Sequence, residues 1–209
     1  MKRLFIALFA ISGLAFTANA QEFGFSQGNV IVEGNIGFNS TNDKGTDAKT
    51  NSFEITPKVG YFLTDKVAIG IQLGFGTGKS ENLTAVGSEV KTNNFGAGVF
   101  GRYYFLELGK RFKTYTEVGV GYGSNKTETT PATGATTITE KANGFAIGAG
   151  VGANYFLTEK IALNFQLADV IGFSSLKPDG GKAETNFGLA AGGVKNIFDE
   201  ATFGLVFKF

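Results

Sequence analysis

The 209-residue chain contains no histidine and no cysteine. Without histidine there is no Ser-His-Asp catalytic arrangement and no histidine-ligated metal centre. Without cysteine there is no disulfide framework, thiolate nucleophile or thiolate-bound metal. These two absences predict a protein that is not an enzyme of the usual acid–base kind and that requires neither a cofactor nor a metal.

Proline, tryptophan and long apolar runs are also scarce. Only 3 prolines accompany 31 glycines and 22 phenylalanines, a composition unlike that of disordered low-complexity chains. The formal net charge is +1 and no basic stripe is present, so no nucleic-acid partner is expected. Beyond the N-terminus no apolar run reaches the length of about 20 residues that a transmembrane helix needs. The length fits one domain.

The first twenty residues have the layout of a secretory signal. A basic start at 1–3 precedes an apolar core at 4–16 and the small-residue sequence Thr17-Ala18-Asn19-Ala20. We expect cleavage after Ala20, which leaves a single domain of residues 21–209. An exported chain without cysteine needs another source of stability, and a closed hydrogen-bonded barrel provides one.

The rest of the chain alternates with the period of a β-strand. In KVAIGIQLGFG, residues 66–76, one face carries only bulky apolar side chains and the other is mostly glycine and alanine. A bulky outer face and a small inner face suit a narrow barrel in lipid. Similar segments occupy Asn29–Asn39, Ser52–Leu63, Asn94–Phe105, Lys113–Ser124, Gly144–Leu157, Lys160–Phe173 and Thr202–Phe209. The pattern predicts an all-β fold, an eight-stranded antiparallel up-and-down transmembrane β-barrel.

Two nearly identical sequence motifs mark the ends of strands. YFLTDK at 61–66 and YFLTEK at 155–160 each join two apolar segments through a short turn. The other connections, at roughly 40–51, 77–92, 125–141 and 174–185, are long and polar. Short turns at one end and long loops at the other are typical of outer-membrane barrels. The tyrosines at such ends are predicted to form a periplasmic aromatic girdle: Tyr61, Tyr103, Tyr104 and Tyr155.

The end of the chain carries an alternating aromatic strand. Phe203, Leu205, Phe207 and Phe209 share one face, as in the assembly signal of bacterial outer-membrane barrels. The stretch 185–209 is too long for one membrane strand of about 9–11 residues. Residues 186–200 are therefore expected to form either a bulged extension of the last strand or part of the last loop.

Charged side chains occur at six positions predicted to face inward: Glu33, Glu54, Lys58, Arg102, Lys113 and Glu117. Because an isolated buried charge is costly, charges of opposite sign are expected to pair inside the barrel. One interpretation is a salt-bridged plug, and the other is a gateable conduit for ions or small solutes. An eight-stranded barrel has room only for its own side chains, which favours the plug.

The signal, the eight strands, the YFL turn ends and the terminal FGLVFKF resemble the small outer-membrane β-barrel proteins related to outer membrane proteins A, X and W. The amino-acid composition, which lacks tryptophan and is rich in glycine and phenylalanine, resembles that of the members of this family common in Bacteroidetes. The resemblance implies a monomer in the bacterial outer membrane, in contact with its lipids. It also implies dependence on periplasmic chaperones and the barrel-assembly machinery during biogenesis.

The role expected from this resemblance is structural or surface-interacting, through four polar extracellular loops. Barrel enzymes of this kind resemble one another in needing a histidine, so none of their activities is expected here. Two alternatives remain open at this point. One is a narrow porin-like channel for ions or small solutes. The other is a lateral conduit for hydrophobic compounds, which requires a break in the barrel wall near residues 186–200.

Overall fold

The computed structural model describes residues 23–43, 48–82, 88–131, 138–189 and 202–209. The expected signal at 1–20 lies outside the described residues. Nine strand segments occur in the described part of the chain: β1 (Val30–Asp43), β2 (Ala48–Phe62), β3 (Val67–Asn82), β4 (Ser88–Leu108), β5 (Phe112–Thr130), β6 (Ile138–Phe156), β7 (Ile161–Pro178), β8 (Glu184–Leu189) and β9 (Thr202–Lys208).

The strands form one closed antiparallel sheet. Each strand from β1 to β7 pairs with the next, and the ring closes because β9 pairs with both β7 and β1. β8 pairs with the upper part of β7, at Ile171–Leu176, while β9 pairs with its lower part, at Ile161–Gln166. β8 and β9 therefore share the eighth position of the ring, and the predicted eight-stranded barrel is confirmed. No helix in the described ranges is long and apolar enough to cross a membrane.

The two YFLT motifs form the same type of hairpin turn. The hydroxyl of Thr64 accepts a hydrogen bond from the backbone N–H of Val67 at 3.0 Å, and that of Thr158 accepts one from Ile161 at the same distance. Short polar side chains that bond to nearby backbone stabilise tight turns. The third turn at this end contains Gly109, whose φ of +69° suits glycine. Both ends of the described chain lie on this side of the barrel, which we call the lower end.

The barrel wall reverses the usual arrangement of a water-soluble protein. Bulky side chains cover the outside, and Ile71 and Val99 leave 61% and 52% of their surface exposed. The inward positions of the same strands carry Gly70, Gln72 and Gly98. Exposed apolar side chains on one face and small or polar ones on the other are what a strand between lipid and a narrow interior requires.

The predicted long loops are largely wrong in their bounds. β3 and β4 remain paired up to Asn82 and Ser88, and β5 and β6 remain paired up to Thr129 and Ile138. The polar, threonine-rich stretches thus continue the strands beyond the apolar band as hairpins. Alternation of Thr, Lys and Glu supports a strand with both faces in water, since threonine is a good strand former.

Candidate functional site in the barrel interior

The lower interior is filled by an aromatic cluster to which the N-terminal segment contributes. The Phe25 ring stacks on Phe62, with ring centroids 4.4 Å apart and an interplanar angle of 15°. It also contacts the rings of Tyr104 and Phe156, at 4.9 and 5.0 Å. Phe25 is 9% exposed, although it precedes β1 and belongs to no strand. Residues 23–28, which we call the N-terminal cap, therefore close the lower opening of the barrel.

Polar contacts hold the N-terminal cap in place. The Lys208 ammonium donates a hydrogen bond to the carbonyl oxygen of Gly24 at 2.8 Å. The backbone N–H of Gln27 donates to the carboxylate of Asp65 at 2.8 Å. The Arg111 guanidinium lies over the Phe23 ring, 4.3 Å from its centroid. The cap is thus joined to β9 and to two of the lower turns.

A charged network crosses the barrel directly above the aromatic cluster. Arg102 on β4 donates from Nη1 to Glu33 on β1 at 2.8 Å and from Nε to Glu117 on β5 at 2.8 Å. The Lys58 ammonium on β2 donates to the other oxygen of Glu117 at 2.5 Å. Two cations and two anions thus form one continuous chain, in which β1, β2, β4 and β5 are joined across the interior.

Amide and hydroxyl groups complete this network. The side-chain amide of Asn164 donates to both Glu33 and Asn35, at 3.0 and 2.8 Å. Asn154 donates to Asn164 at 2.9 Å and accepts from the Tyr104 hydroxyl at 2.5 Å. No buried side-chain nitrogen or oxygen lacks a partner in the described part of the chain. A buried polar network is stable only when every member is satisfied, and this one meets that condition.

The centre of the network is buried inside the barrel. The side chains of Arg102 and Glu33 are both 0% exposed, and that of Glu117 is 18% exposed. Phe100 and Tyr115 cover the cations, with the Arg102 guanidinium 4.0 Å from the centroid of the Tyr115 ring. Arginine stacked on an aromatic face is held in one orientation as well as paired. The arrangement is that of a fixed plug.

Above the plug, the interior widens into a cavity of about 460 Å³. Glycines on several strands provide the space, and both apolar and polar side chains line it. The polar ones are Glu54, Thr56, Gln72, Asn94, Asn125 and Ser174. We call this cavity, whose lining is more apolar than polar, the vestibule, and it lies on the side of the long hairpins.

Four of the six predicted interior charges come together in the plug: Glu33, Lys58, Arg102 and Glu117. Glu54 instead lies in the vestibule, where it is exposed and accepts a 3.4 Å hydrogen bond from Thr56. Lys113 lies near the lower rim and pairs with Glu107 at 2.5 Å. Neither residue contacts the plug through an ion pair within the described ranges. The six positions therefore belong to three separate environments.

The predicted aromatic girdle requires one correction. Tyr61, Tyr103 and Tyr155 lie on the outer face and are 47%, 47% and 38% exposed. Tyr104 is 4% exposed and points into the barrel, where its ring packs against Tyr115. Alternation explains the difference, because the neighbour of an outward Tyr103 must face inward.

The C-terminal strand has one face outward and one inward. Leu205 and Phe209 are 41% and 60% exposed, whereas Val206 is 1% exposed and joins the aromatic cluster. Phe207 pairs with Val32 on β1 and with Ile161 on β7. The backbone of Phe203 pairs with Ile36 and Phe165. Residues 190–201 lie outside the described residues.

Sequence reasoning missed the N-terminal cap and the amides of the plug. Asn35, Asn154 and Asn164 all occupy inward positions near the lower ends of their strands. A buried polar side chain at an inward position of a narrow barrel must find a partner there, so the alternation pattern contained this signal. For Phe25 the only signal is an apolar side chain in a segment with no strand pattern.

One glycine is required by the close approach of Tyr115. A Cβ atom at Gly152 would overlap Cζ and Oη of Tyr115 and would lie 2.7 Å from the backbone oxygen of Phe165. We expect Gly152→Ala to destabilise the barrel by about 1–3 kcal/mol, the usual cost of overpacking. Urea unfolding in lipid vesicles measures this. Gly101→Ala is the matched control, because its Cβ would meet nothing within 4 Å. Equal effects of the two variants would contradict the prediction.

The described residues contain no group of three or more His, Cys, Asp or Glu side chains placed to hold a metal. The plug carboxylates are already bound by Arg102, Lys58 and asparagine amides. The contacts of the plug carboxylates are therefore ion pairs and hydrogen bonds.

A closed antiparallel ring with an apolar outside, a polar plug and long hairpins at one end defines an outer-membrane β-barrel protein. The chain belongs to the family of the outer membrane protein beta-barrel domain, whose model matches residues 5–209. It therefore lies in the bacterial outer membrane. No curated protein matches the chain.

Solved structures with a similar fold are small outer-membrane barrels. OprG from Pseudomonas aeruginosa is 14% identical, with a TM-score of 0.53 over 89% of this chain and 98% of that chain. A major outer membrane protein from Thermus thermophilus is 16% identical, with a TM-score of 0.48 over 87% of this chain and 98% of that chain. Escherichia coli outer membrane protein W is 14% identical, with a TM-score of 0.44 over 88% of this chain and 99% of that chain.

Proposed function

We propose that this protein is a closed, non-enzymatic barrel that occupies the outer membrane and presents its upper hairpins to the outside. The observation that carries the proposal is the plug, in which Arg102 and Glu33 are fully buried and paired across the barrel. The N-terminal cap adds a second barrier below it. With the interior blocked, the surface left for interaction is that of the four hairpins and the vestibule between them.

The proposal includes cleavage after Ala20. The cap would then begin within a few residues of the new N-terminus, which leaves it free to enter the lower opening. The monomeric state and the use of chaperones and the barrel-assembly machinery are parts of the same proposal. The intact mass of the protein from outer membranes tests the cleavage site directly.

Single-channel recording in a planar bilayer tests the closed interior. The wild type is expected to show no discrete openings. The double variant Arg102→Ala/Phe25→Ala, which removes the centre of the plug and the centre of the cap, is expected to conduct. Lys79→Ala is the control, because Lys79 lies on the outer face of a hairpin with 41% of its side chain exposed. Gel mobility before and after heating verifies that each barrel is folded. Discrete wild-type openings would contradict the proposal and favour a narrow channel.

A lateral conduit for hydrophobic compounds is the second candidate. β9 pairs with β1 only from Ile31 to Ile36, and residues 37–43 of β1 pair only with β2 in the described part of the chain. On the other side, β8 pairs only with β7 in those ranges. Uptake of a lipophilic dye into vesicles containing the wild type, without ion conductance, would favour this candidate over the closed barrel.

A further inference from the structure

Six neighbouring strands carry a lysine at the same place on their outer face. On each of β2 to β7, an outward aromatic residue is followed, four residues further toward the upper end, by an outward lysine. These aromatic residues, which we call the aromatic row, are Phe53, Phe75, Phe95, Tyr122, Phe145 and Phe173. The lysine belt consists of Lys49, Lys79, Lys91, Lys126, Lys141 and Lys177.

The strand register places these lysines at one height. Lys79 lies directly opposite Lys91, and Lys126 lies directly opposite Lys141. At the intervening interfaces the lysines are offset by two residues, because Lys91 lies opposite Glu128 rather than Lys126. The aromatic row shows the same stagger, with Phe75 opposite Phe95 and Tyr122 opposite Phe145. Strands of a closed barrel tilt, so a level ring requires this regular offset.

The height of the lysine belt corresponds to the headgroup layer of the outer leaflet. Aromatic residues on the outer face mark the boundary of the hydrocarbon region. Four strand residues span about 13 Å. At a tilt of about 40°, this is a rise of roughly 10 Å. Polar headgroups extend about 5–8 Å beyond the hydrocarbon on each side. A flexible lysine stem brings its ammonium to that level.

Neutral side chains separate the aromatic row from the lysine belt, and acidic side chains lie above the lysine belt. The intermediate outward positions are Asn51, Thr77, Asn93, Ser124, Asn143 and Ser175. Above the belt, Glu89 accepts from Lys79 and Lys91 at 2.8 and 2.7 Å, and hydrogen bonds from these two lysines lower the pKa of Glu89. The chain therefore sorts its charges by height rather than distributing them evenly.

Cations exceed anions on this part of the wall. On the outer face, the described acids above the belt are Glu81, Glu89, Glu128 and Asp179, against six lysines. Three further acids at about this level, Asp43, Glu140 and Glu184, occupy positions of the inward set. Lys49, Lys141 and Lys177 form no ion pair among the described residues and are exposed. Like charges directly opposite each other on a sheet destabilise it. Lys126 lies opposite Lys141, and Glu128 pairs with Lys126 at 2.5 Å but with Lys141 in no ion pair among the described residues. An anion shared between the two ammonium groups would offset this repulsion.

We propose that the lysine belt binds the phosphate groups of anionic lipid headgroups in the outer leaflet. The ligand is a lipid rather than a free anion, because lysines spread over six strands around a convex wall do not converge on one small ion. Ammonium groups attract anionic headgroups, and several lysines at one level add their contributions. The belt thereby fixes the height of the barrel and gathers phosphorylated lipids around it.

Native mass spectrometry of the refolded protein tests this proposal in mixed micelles. The two probes are dioleoylphosphatidic acid and dioleoylglycerol, which share acyl chains and differ in the phosphate. The wild type is expected to bind the phosphorylated lipid about tenfold more tightly, with the preference falling as salt is raised. The variant Lys49→Gln/Lys141→Gln/Lys177→Gln is expected to reduce the preference to about twofold or less.

The matched control removes three lysines from the lower turns, as Lys66→Gln/Lys110→Gln/Lys160→Gln, and is expected to retain most of the preference. Heat-modifiable gel mobility establishes that both variants fold. If the belt variant does not fold, the salt dependence of wild-type binding decides, since a preference independent of salt overturns the proposal. Equal binding of the two probes by the wild type, or an unchanged preference in the belt variant, also overturns it. Full competition by millimolar inorganic phosphate would indicate a free-anion site instead.

Discussion

Replacing Arg102 with methionine is expected to destabilise the barrel by about 3–5 kcal/mol, the usual cost of removing one partner of a buried ion pair. Arg102 donates to Glu33 and to Glu117, and the side chain of Glu33 is 0% exposed. Methionine fills much of the volume but leaves Glu33 without its cation. The measurement is the free energy of unfolding from urea titration in lipid vesicles.

Two further variants separate charge from packing. Arg102→Met/Glu33→Gln removes the orphaned carboxylate together with its partner and is expected to recover a large part of the loss, since buried pairs often tolerate joint neutral replacement. Lys79→Met breaks two exposed ion pairs and is expected to change stability far less. An Arg102→Met effect no larger than that of Lys79→Met would show that the plug contributes little to stability.

Replacing Phe25 with alanine is expected to cost up to about 3–5 kcal/mol, as for other buried phenylalanines. Phe25 contacts the rings of Phe62, Tyr104 and Phe156 at the lower opening. Because the N-terminal cap precedes β1 and is not part of the sheet, it can leave the barrel without breaking strand pairing. We therefore expect the cap of the variant to become sensitive to protease while the barrel stays intact.

Limited proteolysis followed by mass analysis measures this second effect, and urea unfolding measures the first. Phe23→Ala is the matched control, because Phe23 is only partly buried at the edge of the cluster and contacts Phe156 at 6.5 Å. Wild-type protease resistance in Phe25→Ala would mean that the polar contacts of Gly24 and Gln27 are enough to hold the cap.

The strands were predictable because lipid on one side and a narrow interior on the other constrain every residue. In β3, Ile69, Ile71 and Phe75 face outward with 48%, 61% and 42% exposure, as their alternation predicts. The ends of the strands were not predictable in this way. Above the apolar band both faces of a hairpin meet water, so no contrast remains between the two faces. The sequence of residues 77–82 therefore predicted a loop rather than a strand.

The plug was predictable only in part. Alternation identifies which charges face inward. Counting from the turn between β4 and β5 would place Arg102 opposite Val118, but a bulge between Tyr104 and Leu106 shifts the register and brings Arg102 opposite Glu117. The contact between Arg102 and Glu33 crosses the interior from β4 to β1, so it depends on the closed ring and not on any hairpin. Tyr104 was misplaced because an aromatic side chain at a strand end suits either the outer boundary or the inner cluster. Only its odd or even position along the strand distinguishes the two.

The strand pairing that closes the ring also sets the order in which the barrel can be completed. Val30 and Phe209 exchange backbone hydrogen bonds at 3.0 and 2.9 Å, although nearly the whole described chain separates them in sequence. Until β9 has been synthesised, β1 and β7 both have an open edge, which the hydrocarbon of a membrane does not tolerate. Closure therefore follows translation of residue 209, and such non-local pairing is slow to form. The unfinished chain must remain in water, shielded from aggregation, until β9 has been made.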